Sequence, residues 1–512
     1  MIKIKKDWVG ISLFLISLII LSFMVYLIKH PFVMYDEYFT LGLVNTSIFQ
    51  LISITSSDVH PPLYYIILKF SIKIVSLLQI PLKSIFVSKF VSVIPYFILL
   101  IISGTKIRED YDWFTAGIFI FVIGVMSDFF INYMIMRMYS WALLFFVLSF
   151  IYLKDVMLKS NKKSWVLLTL FTILGAYTHY FVALSSSIIY FLLLVYILFI
   201  KDDEINKDNG GIDIKGKINN IVPKLRENEF KKWIISVIAL IILYIPWIPI
   251  LLQQMINVND SFWIKPIGVD ETINFFIFAI TNSYSDNGLA IFCLIIILSL
   301  VIFQYKKNKK DENFYIITGI CVFLGVIFIG IGFSLISQPI IIDRYLLPSI
   351  GVLWLVFAIS IGKIDNNKNI IMVLIVILIL SIGGVSQAIS KDISIYKSTV
   401  HDEKIFKTMN REDNTVIYED GVTLLRYHGY LDKTEEYNFN RDTNRIVLDN
   451  HTLHNAIEFK DINSNKLNQL IIENNDKNIY YIGCGKVNDN FEKIDTIKIS
   501  GKNSDIYIIK NK

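Results

Sequence analysis

Repeated apolar runs of about 18 to 22 residues leave this chain few folds, because each matches the roughly 30 Å hydrocarbon core of a bilayer. They fall near residues 9–28, 85–103, 113–129, 139–153, 165–182, 184–200, 233–252, 287–304, 313–335, 344–362 and 370–389. In lipid every backbone N–H and C=O must be satisfied within the protein, so runs of this length read as helices. Hydrophobic residues make up 54% of the 512 and charged residues only 18%. With a mean hydropathy of +0.55, that is too apolar for a soluble chain of this size. The expected fold is a polytopic α-helical membrane protein of about eleven spans.

Charge placement orients these spans. Met1-Ile2-Lys3-Ile4-Lys5-Lys6 precedes the first run, which is too long for a signal-peptide core and lacks a small-x-small cleavage site. It reads as an uncleaved span with its basic end in the cytoplasm. Lysine-rich loops near 104–112, 154–163, 201–232, 305–312 and 363–368 belong on the same side by the positive-inside rule. The loop at 201–232, with Asn209-Gly210-Gly211, reads as a solvated linker.

Residues 63–79 are apolar too, but a crossing there would put Lys106 and Arg108 outside. Lys69 and Lys73 also lie one turn apart on one helical face. An interfacial helix in the first outer loop satisfies both facts. The N-terminus is then cytoplasmic and the C-terminus extracytoplasmic.

With that parity, Asp36, Glu37, Asp58, His60, Arg137, His179, Trp263 and Arg344 all come out near the outer face, although none of them entered the topology. Charges beside hydrocarbon are costly, so their convergence points to a single site. The net charge of +5 is slight, and no nucleic-acid partner is expected. Two of the three cysteines, Cys293 and Cys321, lie inside apolar runs, and no disulfide framework is expected.

After about residue 391 Asn, Asp and Lys become frequent. Strands are expected at 415–418, 445–448, 478–482 and 505–509, and short helices at 422–427 and 464–473. The chain thus divides into a transmembrane domain, 1–390, and a small extracytoplasmic α/β domain, 391–512.

Each candidate has a chemical and a plain reading. Asp36 and Glu37 are adjacent, so their side chains diverge and serve different groups; desolvation would suit such a carboxylate to general-base work, or the pair opens a short helix. The Pro61-Pro62 pair fixes the backbone and presents His60 on a rigid elbow, while Asp58 or its neighbours could simply cap the helix that follows. Arg137, before Met138-Tyr139, and Arg344, before Tyr345, suit a phosphate; the alternative is snorkelling or pairing with an aspartate. His179, beside Tyr180, could ligate a divalent metal together with Asp58, hydrogen-bond a headgroup, or be structural. Trp263 could stack on a sugar or belong to the interfacial aromatic belt. No Walker loop, dinucleotide fingerprint or HExxH sequence occurs, so ATP-driven transport is not expected of this chain.

Taken together, Asp36-Glu37, Asp58-Val59-His60-Pro61-Pro62-Leu63-Tyr64-Tyr65, Arg137-Met138-Tyr139, His179-Tyr180, Pro246-Trp247 with the later Trp263, and Arg344-Tyr345-Leu346-Leu347-Pro348 resemble the GT-C membrane glycosyltransferases. The branch they resemble is glycosyltransferase family 39, which includes protein O-mannosyltransferases and lipid A aminoarabinose transferases. The resemblance covers about residues 1–390.

It implies transfer of one sugar from a polyprenyl-phosphate carrier to a glycan, lipid or protein acceptor at the outer face of a cell membrane. Asp36 would activate the acceptor and Glu37 support it; His60, Arg137, Arg344 and Tyr345 would hold the donor phosphate. Asp58, Tyr139, His179, Tyr180 and Trp263 would line the substrate site. Displacement by the acceptor would invert the anomeric centre. No cofactor is implied with certainty, and a divalent metal at Asp58 and His179 stays open. The tail has no paired WWD signature, and the chain lacks a large three-lobed luminal insertion, so a protein acceptor is not singled out. The competing expectation is a transporter or flippase that binds lipid-linked sugars without reacting them. The lack of an internal repeat and the one-sided polar residues favour an enzyme.

Overall fold

The computed structural model describes residues 5–29, 33, 35–82, 84–126, 128–201, 225, 227–257, 264, 266–280, 287–305, 307–419, 424, 431, 433–439, 460–474, 477–483, 492–499 and 502–509. It forms two compact units. The first comprises Met1–Val25, Ile52–Tyr64 and Phe90–Ala388; the second comprises Tyr26–Leu51, Tyr65–Lys89 and Ile389–Lys512.

Among the described residues, seven helices are long and apolar enough to cross a membrane: Lys6–Leu27, Ser84–Asp110, Tyr139–Lys159, Tyr180–Ile200, Asn228–Ile256, Lys310–Ile336 and Asp343–Gly362. Shorter apolar helices include Trp113–Val125, Ile291–Tyr305 and Asn367–Ser381. The chain is therefore a multi-pass helical membrane protein. The run expected near 165–182 folds as Lys162–Ala176, a 15-residue helix, and then breaks before His179. Residue 390, where the composition changes, lies within one continuous helix, Asn367–Met409.

In the first unit Asp343–Gly362 is the central helix. Its most apolar window is wholly buried, as expected of a helix with no polar face. It packs against Tyr139–Lys159, Lys310–Ile336, Trp113–Val125 and Asn287–Tyr305. Glycine matters most where Lys6–Leu27 crosses Trp113–Val125. A Cβ on Gly10 would lie 2.1 Å from the carbonyl oxygen of Trp113, and one on Gly117 2.1 Å from that of Gly10. Only hydrogen fits between backbones this close.

The lysine-rich loops gather at one end of this unit. Lys106 pairs with Asp110 (2.9 Å) and Asp155 (3.0 Å), Lys159 with Asp155 (3.0 Å), Lys363 with Glu312, and Lys6 with Asp365 (3.2 Å). Tyr139–Lys159, 21 residues or about 31 Å long, runs from this cluster to the opposite end, beside Arg137.

In the second unit, Leu63–Leu77 contributes all but its first two residues. At 15 residues, or about 22 Å, this helix is too short to span the hydrocarbon core. The helix Tyr35–Asn45 carries both Asp36 and Glu37 in its first turn.

The C-terminal part of this unit is a six-stranded sheet of β1 (Asn414–Tyr418), β2 (Glu435–Phe439), β3 (Lys460–Ile462), β4 (Asn478–Gly483), β5 (Glu492–Ile499) and β6 (Lys502–Ile509). The order is β3-β2-β1-β4-β6-β5, parallel from β3 to β4 and antiparallel beyond. β1 lies inside the sheet and is buried at every position, which accounts for its readable apolar run. The helix Ser464–Glu473 starts on Asn463, whose side chain accepts from the Lys466 N–H. Its Leu467 and Leu470 pack with Ile417, Ile479 and Tyr481. Strands β2, β3 and β5 were not expected; β2 and β5 open on glutamates, and sheet pairing rather than local pattern makes them strands. Residues 445–448 lie outside the described residues, as does 422–427 except Leu424.

Candidate functional site

In the first unit the Asp58-to-Pro62 elbow is held by its neighbours. The Leu63 N–H donates to the Tyr177 carbonyl at 3.1 Å. Gln254 donates from Nε2 to the carbonyls of Thr55 and Ser56, both at 3.0 Å. The Gln254 Oε1 accepts from the Tyr180 hydroxyl, which in turn accepts from Trp247 Nε1 at 2.9 Å. A buried amide thus ties the elbow to the start of the Tyr180–Ile200 helix.

His60 is 5% exposed, and its Nε2 stands 3.2 Å from the Arg137 guanidinium. Since the guanidinium can only donate, Nε2 accepts and the network assigns the proton to Nδ1. Nδ1 lies 3.8 Å from Asp58 Oδ2, beyond a hydrogen bond, and has no hydrogen-bond partner. Burial, then Arg137, His179 and Arg344, holds the His60 imidazole well below its ordinary value.

His179 is the N-cap of its helix, and its Nδ1 accepts from the Phe181 N–H at 3.1 Å. Burial, then Arg137 and Arg344, pushes it down to about 3. Both imidazoles are therefore neutral at physiological pH, and the site's positive charge resides on its two arginines.

Ring packing joins the rest. Tyr345 stands 4.8 Å from His179 and 6.2 Å from both His60 and Tyr139, centroid to centroid. The Arg344 guanidinium lies 5.5 Å over the Tyr139 ring, within cation–π range. His60, His179, Tyr180, Gln254 and Tyr345 supply the polar wall of a cavity of about 370 Å³; Leu251, Met255, Ile329 and Phe333 are among its apolar lining. Such a space suits a ligand with a polar head and a hydrocarbon body.

Of the expected residues, Asp58, His60, Arg137, Tyr139, His179, Tyr180, Arg344 and Tyr345 thus come together in one unit. Trp263 lies outside the described residues. Asp36 and Glu37 belong to the second unit. There Glu37 is fully buried and its Oε1 accepts from Lys89 Nζ at 2.7 Å, while Asp36 is half-buried and its carbonyl accepts from the Thr40 hydroxyl at 3.1 Å. The two acids lie in the first turn of a helix rather than on an extended or loop backbone.

For a metal, the donor set is thin. His179 spends Nδ1 on a backbone N–H, and no group of three or more His, Cys, Asp or Glu among the described residues is arranged to hold an ion.

Two residues escaped the reading of the sequence. Lys89 is an ionisable group inside an apolar run, which by itself marks a site worth pairing. Gln254 lies just past the 233–252 run, in the helix Ile248–Asn257, and only the fold shows which backbone it meets.

No protein-family profile matches the chain, and no curated protein matches its sequence. Among solved structures, the crystal structure of ArnT from Cupriavidus metallidurans bound to undecaprenyl phosphate is similar, with a TM-score of 0.53 over 99% of each chain at 7% identity. Across essentially its whole length, the chain therefore shares the fold of that ArnT structure.

Proposed function

We propose that this protein transfers a single sugar from a polyprenyl-phosphate donor to a glycan, lipid or protein acceptor on the extracytoplasmic face of the membrane. The observation that carries the reading is the cavity in the first unit. Two arginines and two neutral histidines stand at or beside its polar wall, and the remainder is apolar. The solved structure with the same fold holds undecaprenyl phosphate, a ligand of that chemistry.

The residues fit the reaction's charge flow. Breaking a glycosyl–phosphate bond builds negative charge on phosphate, and fixed guanidinium groups stabilise it as it grows. The unpartnered Nδ1–H of His60 is a buried donor that a phosphate oxygen would satisfy. Tyr345 and Tyr139 keep His179 and Arg344 in place by ring packing. Asp36 is assigned the acceptor: its carboxylate takes the hydroxyl or amine proton as the nucleophile displaces the phosphate, inverting the anomeric centre.

The test uses membranes from expressing cells and the polyprenyl-linked sugar that copurifies with the protein, labelled metabolically. Label should move to an acceptor, and Asp36→Asn should abolish the transfer at normal expression. Retained turnover in Asp36→Asn overturns the catalytic assignment. Copurification of the lipid without any transfer means a carrier that binds and does not react.

A further inference from the structure

We infer that Lys89 and Lys69 form a two-point clamp that aims Asp36, with Lys89 a positioning residue acting through Glu37; this rests on the catalytic reading of Asp36. Tyr35–Asn45 is an 11-residue helix, too short to hold its own conformation in isolation. Tertiary contacts must fix it.

At its first turn, Glu37 is 0% exposed and Lys89, on Ser84–Ile102, is 5% exposed; they pair at 2.7 Å. At its last turn, Lys69, on Leu63–Leu77, donates from Nζ to the carbonyl of Val44 at 2.8 Å and to that of Thr46 just beyond the helix. A cation there answers the carbonyls that a helix end leaves without intrahelical partners, and it lies at the negative end of the dipole. Lys69 therefore serves the fold rather than only an interfacial face.

Adjacent side chains on a helix point about 100° apart. With Glu37 drawn inward onto Lys89, the rotation of the helix is set, and so is the direction in which Asp36 leaves it. The second lysine sets the height of the same helix along its axis. A general base must sit within hydrogen-bond reach of the proton it takes, and a displacement of about 1 Å costs roughly 100-fold in rate. A buried ion pair is a poor device for stability but a good one for register, since an unpaired charge penalises every other rotation.

The experiment measures transfer as above, alongside binding of tritiated undecaprenyl phosphate to the purified full-length protein. Lys89→Met should lower turnover about 100-fold while undecaprenyl phosphate binding stays within about twofold. Lys89→Arg, which can still pair with Glu37, should restore turnover to within about tenfold of the parent. If Lys89→Met lowers the folded yield, the double variant Glu37→Leu/Lys89→Met reads the same quantity, because it removes both halves of the pair and leaves no buried charge alone. Wild-type turnover in a folded Lys89→Met protein overturns the clamp, as does an equal loss of binding and turnover. Asp36→Asn separates the two ideas: if it keeps turnover, the catalytic reading fails; if it is inactive while Lys89→Met is normal, only the clamp fails.

Discussion

Arg137 and His60, 77 positions apart, meet at 3.2 Å with the guanidinium donating to Nε2. That contact fixes the imidazole tautomer and leaves the buried Nδ1–H 3.8 Å from the Asp58 carboxylate, beyond a hydrogen bond. The imidazole is thus neutral, and the positive charge beside it belongs to Arg137.

Replacing Arg137 should therefore cost more than one charge. Arg137→Ala is expected to lower transfer about 10²- to 10³-fold, the usual loss when one preorganised donor to a developing oxyanion is removed. Arg137→Lys keeps the charge without the planar fork and should recover only part of it. Initial rates with the copurifying labelled donor decide; a fully active Arg137→Ala removes this arginine from the phosphate site.

Acid should destabilise the fold through its neutral histidines. His179 sits at about 3 in the folded chain against an ordinary 6.5. The unfolded chain therefore binds the extra proton between those values, and stability rises with pH across that window. The contribution is complete above about 6.5 and is lost progressively below it. Thermal unfolding in detergent between pH 4.5 and 7.5 should show this slope. His179→Asn, which can still cap the helix, should flatten it; an unchanged slope would place its cause elsewhere.

Two glycines should separate cleanly. Gly117→Ala puts a methyl group within 2.1 Å of the Gly10 carbonyl and should lower the unfolding temperature by several degrees, forcing the helices apart. Gly332→Ala meets nothing within 4 Å and should be neutral or slightly stabilising, by up to about 1 kcal/mol of helix propensity. Equal melting temperatures for the two variants would contradict the tight crossing.

Orientation can be read with cysteine labelling in a Cys484→Ser background. Lys163→Cys, exposed in the first turn of the Lys162–Ala176 helix, should react with an impermeant maleimide only after permeabilisation. Ser337→Cys, exposed just before the Arg344 turn, should react in intact cells. The opposite pattern would invert the topology and place the site in the cytoplasm.

The site's ingredients were legible residue by residue. Arginines and histidines at the ends of apolar runs are costly without a reason, and lysine counts give the expectation that they share one side. Lys89 was legible in the same way, as a charge inside an apolar run, but its meaning required knowing that Glu37 lies against it. Gln254 offers no comparable clue, because an amide in an apolar helix can satisfy itself in many ways.

Sequence by itself determined that this is a multi-pass helical membrane protein with a small C-terminal sheet domain. Those properties follow from short-range hydropathy and charge. Tertiary structure alone decided that His60 is neutral, that Glu37 is spent on Lys89, and that β2, β3 and β5 are strands. Each of these depends on which groups meet across tens or hundreds of positions, where desolvation and pairing outweigh local preference.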